Sequence, residues 1–187
     1  LELLLYCNQL QLATTDALYS YGKRYEPAKI VARELKGFLP GVQKVLIMGA
    51  GLGSLLLVLR DQGFTPQYTF VDIDEVVLKW AMESLQGEGA NSIEAVCSGA
   101  EKFIENNTAK FDLVFIDIFN GMAVPDFVIT THFLARCKDS LAAGGRLAFN
   151  YISNKEQGWE GVKRNFASVF PEHTIISKGV NKVFITG

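Results

Sequence analysis

Short, almost unbroken apolar runs alternate along this chain with stretches in which apolar residues return every three or four positions. The runs at 44–48, 67–73, 92–97, 111–116 and 146–152 have the length of strands buried on both faces. The stretches between and after them predict helices over 53–62, 74–85, 100–106, 130–141 and 156–169. Asp74 stands at an N-cap position, and Gly144-Gly145 is placed to stop the fourth of these helices. Upstream, Ile30, Val31, Leu35 and Phe38 predict a helix over 27–39, with Pro27 in its first turn and the Pro40-Gly41 break beyond it. Residues 1–14 predict a β-hairpin turning at Cys7-Asn8-Gln9, and 173–177 with 182–186 predict a second around Gly179. Repeated β-α units demand a parallel sheet covered on both faces. The expected fold is therefore α/β and Rossmann-like: a mostly parallel seven-stranded sheet, helices on both faces, a C-terminal antiparallel hairpin and a small N-terminal β-hairpin. The expected division is a hairpin and junction over 1–26 and a main domain over 27–187.

The sequence has 187 residues, 49% of them hydrophobic, enough for one substantial core. Its 18 basic and 20 acidic residues are interspersed, so no basic stripe forms and nucleic acid is not an expected partner. No apolar run reaches the roughly 18 residues of a membrane span. Leu1-Glu2-Leu3-Leu4-Leu5 is too short and too acidic for a signal peptide, so no membrane partner is expected either. Cys7, Cys97 and Cys137 lack metal-ligand spacing and read as reduced thiols; no metal is expected, and the cytoplasm is the expected compartment.

Candidate chemistry begins at Gly49-Ala50-Gly51-Leu52-Gly53-Ser54, between a strand and a helix. Glycines permit a tight turn and close ligand approach, and the helix N-terminus offers unpaired N–H groups. The next strand ends in Val71-Asp72-Ile73-Asp74, where the Asp72 carboxylate can accept hydrogen bonds from both hydroxyls of a ribose. Together these predict a nucleoside cofactor. Ser54 occupies the third-glycine position of a dinucleotide fingerprint, and the chain ends in a strand hairpin. Both features favour S-adenosyl-L-methionine over a nicotinamide dinucleotide.

The blocks Val45–Ser54, Val71–Val77, Phe111–Asp117 and Leu141–Gly145 resemble successive blocks of the spermidine synthase family, within the class I methyltransferase fold. The resemblance covers roughly Leu3 to Phe170. It implies cofactor contacts from Gly49, Ala50, Gly51, Gly53, Asp72, Ile73, Gly99, Ala100 and Asp117, with Asp117 also the catalytic group. It further implies substrate contacts from Gln11, Tyr25 and Asn120, and a homodimer formed through the N-terminal region.

Departures from the family pattern fall where a polyamine would bind. The family's Asp-Ser-(Ser/Thr)-Asp-Pro loop reads Asp117-Ile118-Phe119-Asn120-Gly121 here, so Asp117 remains as a general base but the second carboxylate is the neutral Asn120. Leu52 replaces an Asp, and Ser98-Gly99-Ala100 replaces Gly-Asp-Ala. Relatives with an altered loop resemble methyltransferases and commonly carry an Asn at the end of the fifth strand, as in Phe149-Asn150-Tyr151. The expectation is a spermidine synthase-like methyltransferase of undetermined acceptor, because methyl transfer needs alignment more than side-chain chemistry. The alternatives are an aminopropyltransferase using decarboxylated S-adenosylmethionine and a degenerate relative kept as a binding module.

Several residues carry two open readings. Asp117 is a base or a turn cap. Tyr19, Tyr21 and Tyr25 are an acceptor wall or core aromatics, and Asn120–Pro125 is a gate or a plain connection. His132, His173, Trp80 and Trp159 read as packing or surface residues.

Overall fold

A computed structural model describes residues 2–6, 9–15, 18–87, 92–153 and 158–187. The predicted hairpin turn at Cys7-Asn8 and the first residues of the predicted helix at 156–169 lie outside the described residues.

The main sheet has seven strands: β4 (Lys44–Met48), β5 (Gln67–Asp72), β6 (Ile93–Cys97), β7 (Phe111–Ile116), β8 (Leu141–Ile152), β9 (His173–Lys178) and β10 (Asn181–Thr186). Their order is β6-β5-β4-β7-β8-β10-β9, with β10 antiparallel to both neighbours and the other pairings parallel. The chain fills one side outward from β4 and then the other, so the order reverses between β4 and β7. A ligand crevice belongs at that switch, at the carboxyl ends of the strands.

Alternation along each strand divides the core. Val45, Ile47, Tyr68, Phe70, Leu113 and Phe115 face α1 (Glu26–Glu34), α2 (Ser54–Asp61) and α3 (Glu75–Ser84). Leu46, Met48, Val71, Val114, Ile116 and Phe149 face α4 (Ala100–Asn106), α5 (Thr131–Asp139) and α6 (Trp159–Val169). The expected Rossmann-like architecture is therefore present, with three helices on each face. No helix among the described residues is long and apolar enough to cross a membrane.

Element ends differ from the sequence expectation at identifiable places. Helix α1 stops at Glu34, and the predicted remainder to Leu39 is a turn followed by a 3-10 turn at Leu39–Gly41. Helix α5 ends at Asp139, where the Ser140 hydroxyl donates to the Cys137 carbonyl at 2.7 Å. Gly144-Gly145 therefore does not stop that helix but sits in a register shift that starts β8 early, Phe111 pairing with Leu141 and Leu113 with Arg146. Asp74 caps α3 as predicted, accepting from Val76 N–H at 2.9 Å and Val77 N–H at 3.3 Å. Asp74→Ala is expected to lower stability by about 1 kcal/mol in urea denaturation.

The N-terminal hairpin of β1 (Glu2–Tyr6) and β2 (Gln9–Ala13) gains an unpredicted third strand, β3 (Leu18–Ser20). Leu12, 1% exposed, packs with Leu52 of the glycine loop and Val77 of α3. Ser20 and Ser54 share a buried hydroxyl–hydroxyl bond of 2.6 Å, and Tyr21 N–H donates to Ser54 at 3.2 Å. Ser54 thus ties the small sheet to the start of α2.

Candidate active site

The glycine loop owes its residue types to the protein's own packing. Gly49 has a φ of 81°, and a Cβ there would lie 2.2 Å from the Asp117 carbonyl oxygen. Gly53, with a φ of 76°, would press a Cβ onto Leu85 at 2.8 Å and onto the Phe70 ring. Gly51, with a φ of 48°, lies against the Tyr19 backbone. Gly49 and Gly51 also face the crevice, whereas Gly53 and Ala50 do not line it.

The crevice at the switch point is a cleft of about 720 Å³. From β5 and α4 it takes Asp72, Ile73, Gly99 and Ala100, with Glu101 and Lys102 beside them. Ile73 is 78% exposed, an apolar side chain that the fold itself does not bury. Asp72 is held by the backbone: the N–H groups of Asp74, Gly51 and Ala50 donate to its carboxylate, Asp74 at 3.1 Å. Burial raises the Asp72 pKa, and those three donors oppose the rise.

Asp117, at the end of β7, forms the opposite wall with Ile118, Phe119 and Asn120. Tyr25 Oη donates to Asp117 Oδ1 at 3.1 Å, and Asn150 Nδ2 donates to the same oxygen at 2.9 Å. Oδ2 has no partner among the described residues. Burial lifts the Asp117 pKa to about 7, although both donors lower it. Tyr25 is itself pushed well above its ordinary pKa, first by burial and then by the adjacent Asp117 charge. The result is an acid poised near neutrality with one oxygen held and one free.

The N-terminal sheet supplies the remaining wall through Leu12, Thr14 and Tyr19. Tyr19 Oη accepts from Gly121 N–H at 2.6 Å, fastening the sheet to the segment after β7. Asn120 and Ala123 pair through their backbones across that turn, with Gly121 at a φ of 61°. Gln11, half-buried on β2, does not line the cleft. Leu12, Phe119 and Phe127 line it without having been singled out from sequence. Local sequence carries no signal for them, because they reach it only through long-range packing of the small sheet and of the segment after β7. Asn150 is fully buried; in the sequence it stands out only as a family feature, because its bond to Asp117 needs the β7–β8 pairing. Its Oδ1 is buried without a partner among the described residues.

Residues 45–145 match the family model described as a methyltransferase domain. A polyamine aminopropyltransferase of Vibrio vulnificus is 27% identical over 138 residues, covering 72% of this chain and 46% of that protein. The chain thus spans about half the length of the curated relatives it matches. The spermidine synthase of Thermotoga maritima superposes with a TM-score of 0.74 at 18% identity, over 98% of this chain and 67% of that one. Human methyltransferase-like protein 13, solved with SAH, superposes with a TM-score of 0.71 at 19% identity, over 88% of this chain and 80% of that one. With more than half of its length in the matching model and a spermidine synthase-like architecture throughout, the chain belongs to the methyltransferase domain family.

Proposed function

We propose that this protein is a spermidine synthase-like methyltransferase that uses S-adenosyl-L-methionine. The observation carrying this reading is the pairing, across one cleft, of the backbone-held carboxylate of Asp72 with the neutral-range acid Asp117. Asp72 suits the two hydroxyls of a ribose, and exposed Ile73 with the Gly99-Ala100 backbone suits a flat purine. Bound S-adenosylmethionine supplies an electrophilic methyl on a sulfonium. On the protein's side, Tyr25 and Asn150 fix Oδ1 of Asp117, which leaves Oδ2 to accept a proton from the nucleophile. A relative solved with SAH supports the choice of cofactor.

The second reading is aminopropyl transfer from decarboxylated S-adenosylmethionine, favoured by the name of the Vibrio relative. It needs a counter-charge for a second ammonium, and the segment following Asp117 offers Ile118, Phe119 and Asn120 instead. The free thiols of Cys97 and Cys137 support a cytoplasmic setting. The exposed Leu3, Leu4, Leu5 and Tyr6 of β1 support pairing of two copies through the small sheet.

Calorimetric titration with S-adenosylhomocysteine tests the reading directly. The intact protein is expected to bind it, and Asp72→Ala to bind about 30-fold more weakly, the loss of hydrogen bonds to a charged acceptor. Equal affinity in the two proteins would refute the role given to Asp72. Tighter binding of the decarboxylated sulfonium than of S-adenosylmethionine would favour aminopropyl transfer.

A further inference from the structure

The two ends of the cleft differ in chemistry. Asp72 ends β5, Asp74 caps α3, and Glu101 and Lys102 belong to α4, all on one side of β4 in the strand order. On the other side, where Asp117 stands, the wall is Ile118 and Phe119, with Tyr19 brought over by the small sheet and fastened to Gly121. Asn120, the polar side chain of that segment, is exposed and carries no charge. Asp117 is the one carboxylate at this end among the described lining residues, and its Oδ1 is already taken by Tyr25 and Asn150.

We propose that the acceptor is a small, uncharged molecule with a flat apolar body and one hydroxyl. It sits against Tyr19, Ile118 and Phe119, with its hydroxyl on Oδ2 of Asp117. This rests on the methyl-transfer reading above and adds the acceptor's class. Three observations converge on it. First, an alkyl amine arrives as an ammonium, and desolvating that charge against apolar walls is costly without a full counter-charge. Second, two aromatic rings stand in this wall, and the Gly121 N–H holds Tyr19 by its phenol oxygen, which presents a fixed surface for a planar partner. Third, Asp117 has one open oxygen, enough to take a single proton. In the transfer, the hydroxyl oxygen bonds to the methyl carbon as the carbon–sulfur bond breaks. That bond's electron pair stays on sulfur, which becomes a neutral thioether, and the hydroxyl proton passes to Asp117.

The test is a calorimetric titration of the intact protein saturated with S-adenosylhomocysteine, using 2-naphthol and 1,4-diaminobutane as separate probes. The naphthol is expected to bind at least about tenfold more tightly than the diamine, and Phe119→Asp to reverse that order by placing a carboxylate on the wall. Diamine binding that equals or exceeds naphthol binding in the unaltered protein would overturn the proposed class while leaving the cofactor reading intact. Absence of heat from S-adenosylhomocysteine itself would overturn the cofactor reading and the acceptor class with it. If Phe119→Asp fails to fold, Phe119→Ala serves in its place, with a loss of naphthol affinity expected and an unchanged affinity counting against the proposed seat.

Discussion

Asp117→Asn is expected to slow transfer sharply while making the protein more stable at pH 8. Burial holds the folded-state pKa of Asp117 at about 7, against 3.8 for an ordinary Asp. Between those values the folded state retains a proton that the unfolded state releases, so stability falls as pH rises from about 4 to about 7. The full rise corresponds to up to about 4 kcal/mol of lost stability at pH 8. Asn keeps an oxygen to accept from Tyr25 and Asn150 and carries no charge to desolvate. Denaturant titrations at pH 5 and pH 8 should therefore show a shallower pH slope in the variant. Transfer, having lost its proton acceptor, should drop by about 10²–10⁴-fold. A variant with the wild-type pH slope would show that Asp117 is solvated rather than held by its surroundings.

Gly49→Ala is the second large effect, and it acts through the backbone. The added Cβ would stand 2.2 Å from the Asp117 carbonyl oxygen and 2.7 Å from its carbonyl carbon. Neither atom can swing aside as a flexible side chain would, because Asp117 N–H donates to the Met48 carbonyl at 2.8 Å and ties β7 to β4. The left-handed φ of 81° adds strain for any residue with a Cβ. A loss of about 3–5 kcal/mol is expected from overpacking and strain together. Because the clash moves Asp117, S-adenosylhomocysteine affinity should fall as well. A stability within about 1 kcal/mol of wild type would mean that the β4–β7 approach is looser than the backbone distances show.

The same position shows what the sequence can and cannot convey. Alternation of apolar runs with helical spacing was enough to place β4 to β7, β9, β10 and the helices between them, because each buries a face that its own residues declare. Asp74 was legible as a cap because capping is a contact two and three residues away. The glycine loop was legible as a turn, but the reason for its glycines was not. Gly49 meets Asp117, 68 positions later, and Gly53 meets Phe70 and Leu85. Strand β3, three residues long, is too short to show a period and exists through pairing with β2. The early start of β8 likewise depends on its partner, since Leu141 becomes strand by pairing with Phe111.

In the candidate site, residues near one another in sequence were easier to find than those assembled across it. Asp72, Ile73, Gly99 and Asp117 follow strand ends, and strand ends mark the crevice in any open α/β sheet. Tyr19 was visible as one of three nearby tyrosines with no way to choose among their roles. In the folded chain the three separate: Tyr25 holds Asp117, Tyr19 fastens Gly121, and Tyr21 stacks at a tilt with Tyr6 at a centroid distance of 6.3 Å. Leu52, a departure from the family pattern by sequence, has a structural use as the partner of Leu12.

The small sheet is made by pairings among the first twenty residues, yet it supplies Leu12, Thr14 and Tyr19 to the cleft. One wall of the cleft is thus written far from the strand ends that carry Asp72 and Asp117. Because Leu12 and Ser20 also brace Leu52 and Ser54, the opening segment both shapes the cleft and steadies the glycine loop. A change at Leu12 or Tyr19 therefore reaches the cleft and the framework together, and variation there is constrained by both.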